Sequence, residues 1–341
     1  MTRPLRAHFD ALLFDLDGVI YVGRTAVPRA SEAISAARAE GINCGFVTNN
    51  ASRSADEVAL HLNEIGISAS PHDVITSPQA AVALLSAYVP DGSPVLVIGG
   101  AGIETALLAG GYRPVRSLAD DPAAVMQGFS PDISWRDLAL ATFAVRSGLP
   151  WIATNPDLTF PTADGIAPGN GALVRVVAET AGREPDAVAG KPEPPLLHEA
   201  VRRMAAQRPL MVGDRLDTDV AAGARVQLPT LLVLTGVTDL QALLAANGAE
   251  RPTYLGADLS VLDRPYPSGS RDGQWSVVGG ARARVVEGRL QASVPVGTDP
   301  WDGVRAGTLA CWAAADAGEP VDLESAARLL KDGTVGSAPG A

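Results

Sequence analysis

The apolar run Ala11-Leu12-Leu13-Phe14 ends on an acidic pair, Asp15 and Asp17, with Gly18 directly after it. Ala11 to Asp15 read as a buried five-residue strand that terminates on a carboxylate. Alternate side chains of a strand share a face, so Asp15 and Asp17 point the same way while Leu16 packs into the core. Two carboxylates held side by side repel each other. They stay together at low cost only if a cation lies between them or one keeps its proton. Both conditions suit a carboxylate that attacks phosphorus beside a divalent cation. Gly18 allows a sharp turn and brings backbone N–H groups toward a bound anion. Asp and Gly after a strand are equally ordinary turn residues, so the segment gains meaning from what accompanies it.

Three more segments end in polar residues. Asn43-Cys44-Gly45-Phe46-Val47 runs into Thr48-Asn49-Asn50. A hydroxyl and amides at a strand tip donate to phosphate oxygens without adding charge; the same residue types cap helices, here one beginning near Ser54. Gly190-Lys191-Pro192-Glu193-Pro194 holds one of only two lysines among 27 basic residues, the other being Lys331. A chain that uses arginine almost everywhere keeps a lysine where a compact ammonium is needed, as between a carboxylate and a phosphate; an exposed loop lysine is the plainer alternative. Leu210-Met211-Val212-Gly213 ends on Asp214, with Asp217 and Asp219 close behind. Asp217 fits a helix N-cap and Asp219 the first helical turn, which leaves Asp214 as a ligand. A hard cation such as Mg²⁺ takes oxygen donors, and Asp15, Asp214 and the backbone carbonyl of Asp17 make a suitable set.

In this order, DLDGVI, FVTNN, GKPEP and VGDRLDTD resemble the four motifs of the haloacid dehalogenase (HAD) superfamily. They are most similar to its NagD-like, para-nitrophenyl-phosphatase branch (subfamily IIA). The resemblance spans roughly residues 11 to 235. It implies that Asp15 is the nucleophile forming an aspartyl-phosphate and that Asp17 is general acid, then base. It also implies that Thr48 and Lys191 bind the phosphoryl group and that Asp214 binds Mg²⁺, with Asp219 acting indirectly. Gly18, Asn49 and Asn50 join the phosphate-binding set through the backbone N–H groups and amides that these segments offer to an anion. Dehalogenases that resemble this pattern lack an acid at the position of Asp17, and transport ATPases carry Thr there, so Asp17 points to a phosphatase or a phosphomutase.

Motif spacing sets the domain plan. The interval from Asp17 to Thr48 holds one helix and one strand, whereas the interval from Thr48 to Lys191 holds a whole inserted domain. The expected fold is α/β: a Rossmann-like parallel-sheet core over 1–79 and 186–262, an inserted α/β cap over 80–185, and a small α+β C-terminal extension over 263–335. A disordered tail at 336–341 is expected to follow. Inside the insert, strands are expected at Val95–Ile98, Val125–Phe129 and Trp151–Ala153, with helices near 102–109, 135–147 and 170–182. Ala153-Thr154-Asn155-Pro156-Asp157 resembles the ATNPD element of the branch. Asn155 and Asp157 could read a polyol or sugar hydroxyl there, or form a Pro-terminated turn. The core sheet is expected to close with Thr230–Leu234 and a helix near 238–247. Arg264 to Gly273 read as a linker. The extension is then expected to hold strands at Trp275–Val278, Ala283–Val286 and Leu290–Val294 and helices at 300–316 and 321–331, as a docking or structural appendage.

Val95-Leu96-Val97-Ile98-Gly99-Gly100-Ala101-Gly102 begins like a dinucleotide site, strand into Gly-rich turn. Thr105 stands where the third glycine would be, and Asp120 and Asp121 lie in a Pro-containing loop instead of at a strand end. Tight packing turns explain these glycines better. Of the residues, 47% are hydrophobic, enough for a sizeable core, and no apolar stretch nears the roughly 18 residues of a membrane span. The start runs almost at once into the first strand, so no signal peptide is expected. Cys44 and Cys311 are expected to be buried free thiols in a cytoplasmic protein. A net charge of −11 argues against a nucleic-acid surface. His8, His61, His72 and His198 show no zinc spacing. The expectation is therefore a Mg²⁺-dependent phosphatase of a small phosphorylated metabolite, glycerol 3-phosphate first, with 2-phosphoglycolate, nucleoside monophosphates and pyridoxal phosphate also open. It has no nucleic-acid or membrane partner and is a possible homo-oligomer. A phosphomutase and a non-catalytic phosphate-binding protein are the rival classes.

Overall fold

The computed structural model of the chain describes residues 2–162 and 165–335; the expected tail at 336–341 lies outside the described residues. The chain forms two compact units, Met1–Asn43 with Arg208–Ala341, and Cys44–Gln207.

In the first unit, four parallel strands lie in the order Tyr254–Gly256, Thr230–Val233, Pro209–Gly213, Ala11–Phe14. Parallel strands covered on both faces are apolar throughout, and the last three of these four are buried at every residue. The expected closing strand at Thr230 is therefore not the last. Tyr254–Gly256 adds one more, a three-residue strand after Pro252 that is too short to show a period. The helix expected near 238–247 is Leu240–Ala245, capped by Asp239, whose side chain accepts from the Ala242 N–H.

The C-terminal part of this unit carries a four-stranded antiparallel sheet, Gly269–Asp272, Trp275–Val278, Ala281–Val286 and Arg289–Ser293. Its first strand lies inside the segment expected to be a linker. All four of its residues are exposed, so no inward-facing apolar residue marked it. Helices Pro300–Asp316 and Leu323–Val335 pack on the sheet. Val278, Ala283, Leu290, Val304 and Leu330 share one core with Leu232 and Leu255 of the parallel sheet and Leu243 of the capped helix. The extension is thus built onto the same apolar core as two strands of the parallel sheet and as Leu216 and Val220, which follow Asp214 in the chain.

In the second unit, Asn43–Thr48 pairs in parallel with Val74–Thr76. A separate five-stranded parallel sheet has the order Ala187–Val188, Trp151–Ala153, Ala124–Gln127, Pro94–Ile98, Arg113–Val115. Helices Ala101–Ala109, Trp135–Arg146 and Asn170–Ala181 accompany it, close to their expected bounds. The last ends at Gly182, which takes the left-handed conformation (φ 74°) usual after a helix. The Gly-rich turn is a packing device. A Cβ on Gly102 would lie 2.5 Å from the Ala51 carbonyl oxygen, and one on Gly99 2.7 Å from that of Gly128. Cys44 and Cys311 are free and buried, as expected. Among the described residues, no helix is long and apolar enough to cross a membrane.

Candidate active site

In the first unit, two strand tips and the helix Leu216–Val220 bring three carboxylates together. Asp15, Asp214 and Asp219 offer oxygens that all lie within 4.8 Å of one another. Asp214 and Asp219 are buried and Asp15 is half-buried. Leu16 is fully buried and Asp17 exposed, the alternation a strand end requires. Asp214 follows the Pro209–Gly213 strand and is held by the segment 235–238. The Val237 N–H donates to its Oδ2 at 2.6 Å, and the Thr238 N–H to its backbone carbonyl at 3.2 Å.

Two glycines make room for this carboxylate. A Cβ on Gly236 would sit 2.0 Å from Asp214 Oδ2, and one on Gly18 would sit 2.5 Å from it. Gly18 also has φ +85°, a region L-residues rarely adopt. Its N–H donates to the Tyr21 carbonyl at 2.8 Å. Gly18 makes the sharp turn expected of it: its own N–H closes the turn, and the missing side chain clears space beside Asp214.

Asp217 is not the N-cap it was expected to be. It forms an ion pair with Arg215, at 2.7 Å. Burial works to raise the Asp217 carboxyl, but hydrogen bonding and charge from Arg215 outweigh it and hold the group below the usual carboxylate range. Asp219 takes the capping part: its Oδ2 accepts from the Asp214 N–H at 3.2 Å and from the Arg215 N–H at 3.1 Å.

In the second unit, Lys191 is 2% exposed, which removes the exposed-loop alternative. Its Nζ donates to the Val47 carbonyl at 3.3 Å, one residue before Thr48. Thr48 is buried, and its Oγ1 accepts from the Asn50 N–H at 3.0 Å, which leaves the hydroxyl proton to donate. Asn50 Oδ1 accepts from the Ser52 N–H and hydroxyl. The helix cap is Ser54 with Glu57, a capping box, and not Thr48 to Asn50.

Asn49 and Asn155 were expected to contact substrate, and the structure uses their amides internally. Asn49 Oδ1 accepts from the Lys191 N–H at 2.8 Å, while Nδ2 donates to the Lys191 carbonyl at 2.8 Å and to Asp157 at 3.0 Å. Asn155 Nδ2 donates to the Asn49 carbonyl at 2.7 Å, and its Oδ1 accepts from the Asp157 N–H at 3.2 Å. Both asparagines position Lys191 and Asp157. Sequence reasoning missed Ser77, whose hydroxyl donates to the Asn49 carbonyl, and Asn170, which donates to the Asn155 carbonyl. It also missed why Gly190 precedes the lysine: a Cβ there would lie 2.6 Å from Asn49 Oδ1.

The family model for haloacid dehalogenase-like hydrolases matches residues 12–113, and a second, HAD-hydrolase-like model matches 188–262. The D-glycerol 3-phosphate phosphatase of Mycobacterium tuberculosis is 45% identical over 260 residues, 76% of this chain and 72% of that protein. The chain belongs to the haloacid dehalogenase-like hydrolases. A crystal structure of glycerol phosphate phosphatase from Mycobacterium tuberculosis in complex with magnesium superposes with a TM-score of 0.83 at 38% identity, covering 94% of each chain. A thermostable NPPase double mutant from Geobacillus stearothermophilus gives 0.67 at 32% identity, over 74% of this chain and 97% of that one.

In this HAD-like hydrolase the donor set suits a hard divalent cation. Three carboxylates converge, two of them buried, and two glycines keep side chains out of the space beside Asp214. Oxygen donors of this kind are what Mg²⁺ binds, with waters completing its shell.

Proposed function

We propose that this HAD-like hydrolase is a Mg²⁺-dependent phosphomonoesterase that acts through an aspartyl-phosphate on a small organic phosphate, glycerol 3-phosphate first. The observation that carries this reading is the cluster of Asp15 and Asp214 at two strand tips with Asp219 of the following helix, and Asp17 exposed two residues beyond the half-buried Asp15.

Asp15 attacks phosphorus in line and carries the phosphoryl group covalently. Asp17 protonates the leaving alkoxide and then takes a proton from the attacking water. Bound Mg²⁺ supplies positive charge to the phosphoryl oxygens, which is where phosphoryl transfer needs it. Asp214 and Asp15 hold that ion, together with the Asp17 carbonyl, and Asp219 fixes the Asp214 backbone. Lys191 adds a point charge and Thr48 a hydroxyl donor to the phosphoryl group. Asn50 supports the Thr48 turn, and Asp157, oriented by Asn49 and Asn155, accepts from a substrate hydroxyl. We assign 80–185 to the cap, 1–79 with 186–262 to the catalytic core and 263–335 to the extension. The enzyme works in the cytoplasm without a nucleic-acid partner.

The substrate rests on kinship with the mycobacterial D-glycerol 3-phosphate phosphatase. Phosphate release from glycerol 3-phosphate, 2-phosphoglycolate, nucleoside monophosphates and pyridoxal phosphate, with and without Mg²⁺, tests it. Glycerol 3-phosphate is expected to give the highest kcat/KM, and Asp15→Asn to give no turnover. Release from none of them, or equal release by Asp15→Asn, would overturn the reading.

A further inference from the structure

A cavity of about 450 Å³ opens in the C-terminal part of the first unit. None of the three clustered aspartates lines it. Its volume falls in the range of small-molecule sites. Tyr254, Tyr266, Trp312, Leu309 and Val278 form its apolar walls. Tyr254 and Tyr266 meet edge to face, with ring centroids 4.9 Å apart, so the aromatic wall is fixed by its own packing.

The polar groups of the lining are selective. The chain carries 38 acidic residues against 27 basic ones, yet the lining includes Arg271 and Arg305 and no Asp or Glu. Arg305 is already engaged: it pairs with Asp302 at 2.7 Å, donates to the Leu255 carbonyl and lies 4.7 Å over the Tyr266 ring. Arg271 is exposed and forms no ion pair among the described residues. Thr308 is 2% exposed, and its hydroxyl has no hydrogen-bond partner among the described residues.

We propose that this cavity is a second binding site, for a flat, mainly apolar small molecule bearing one carboxylate. The aromatic and aliphatic walls take the body of the ligand, and Arg271 takes the carboxylate in a two-pronged pair.

The site is placed to influence the metal end of the same unit. Trp312 Nε1 donates to the Leu243 carbonyl at 3.0 Å. Leu243 belongs to the helix Leu240–Ala245, which is capped by Asp239 directly after the segment 235–238. In that segment Thr235 donates to the Gly18 carbonyl at 2.5 Å and Val237 to Asp214 Oδ2 at 2.6 Å. A ligand that shifts Trp312 therefore acts on the groups that hold Asp214. Only this consequence rests on the proposed phosphatase reading; binding at the cavity does not.

Calorimetric titration of the full chain with 1-naphthylacetate, and with neutral 2-(1-naphthyl)ethanol, tests the site. Wild type is expected to bind the carboxylate at least tenfold more tightly than the alcohol. Arg271→Ala, a change at an exposed position, is expected to erase that preference. Ser270→Trp, from an exposed residue of the lining, is expected to fill the cavity and abolish binding of both. Absence of binding to wild type at millimolar ligand, or equal affinities in all three proteins, would overturn the proposal. The Mg²⁺ dissociation constant, read by the same method, is expected to shift at least threefold when 1-naphthylacetate is bound. An unchanged constant would overturn the connection to the metal end.

Discussion

Asn49 grips Lys191 by both sides of its backbone: the Asn49 amide oxygen accepts from the Lys191 N–H and its amide nitrogen donates to the Lys191 carbonyl, each at 2.8 Å. The ammonium is a point charge on a flexible stem, so its placement depends on how firmly the backbone beneath it is held. Asn49→Ala removes both bonds and the one to Asp157, and leaves buried backbone groups unpaired. Small misplacements of a charge-stabilising group cost on the order of 100-fold in rate. A fall in kcat/KM of about 10- to 100-fold is expected, with a lowered but cooperative melting transition. Steady-state kinetics and a thermal melt check this. Wild-type kinetics in Asn49→Ala would show that Lys191 needs no such support.

Asp17 is exposed and Leu16 behind it is fully buried, so Asp17→Asn leaves the core untouched. General acid–base catalysis contributes roughly 100- to 10,000-fold. The variant is therefore expected to lose more than about 100-fold in turnover while its melting temperature stays near that of wild type. A loss below about tenfold would reject the acid–base role.

The space beside Asp214 gives a test that leaves every carboxylate in place. Gly236→Ala puts a Cβ 2.0 Å from Asp214 Oδ2, closer than atoms can approach. The carboxylate then has to rotate away from the Val237 N–H and from Asp15. A rise of at least tenfold in the Mg²⁺ dissociation constant is expected, along with complete loss of turnover of either protein on chelation. Gly18→Ala is expected to do the same and also to lose stability, because its φ of +85° strains any L side chain. Calorimetric Mg²⁺ titration separates the two, and unchanged affinity in Gly236→Ala would show that Asp214 does not reach the ion.

The strand tips were legible because each is a short apolar run stopped by a carboxylate or hydroxyl, and burial on both faces allows no other pattern. Asp15 and Asp214 were therefore found from order and residue type, whereas Asp219 read as a first-turn acid and entered the site only through the family resemblance. What the polar side chains bind was not legible. The bonds of Asn49 to Lys191 join residues separated by 142 positions, and an amide reads the same in sequence whether it faces a ligand or a backbone. The cap of Asp219 onto Asp214 and Arg215 escaped for a different reason: Leu216–Val220 is wound as a π-helix, which changes which acid reaches the free N–H groups. Gly269–Asp272 and Tyr254–Gly256 were missed because one is exposed at every residue and the other is three residues long.

The extension shares its core with Leu232 and Leu255 of the parallel sheet, and Cys311 reports on that packing. The thiol is 1% exposed within the core of helix Pro300–Asp316 and the antiparallel sheet. Burial pushes its pKa up to about 12, and only the thiolate is reactive. At pH 8.5 the folded protein is expected to resist iodoacetamide at Cys311, and to react there once unfolded in urea. The same shift sets a pH dependence. The unfolded thiol ionises near pH 8.5, while the folded one keeps its proton to about 12. This contribution to stability is therefore complete below about pH 8.5 and declines as pH rises toward 12. Cys311→Ala, which cannot ionise, is expected to lose less stability than wild type between pH 8.5 and 10.5 in urea melts. Parallel losses in the two proteins, or rapid alkylation of folded wild type, would show that this core opens locally and does not act as one body with the parallel sheet.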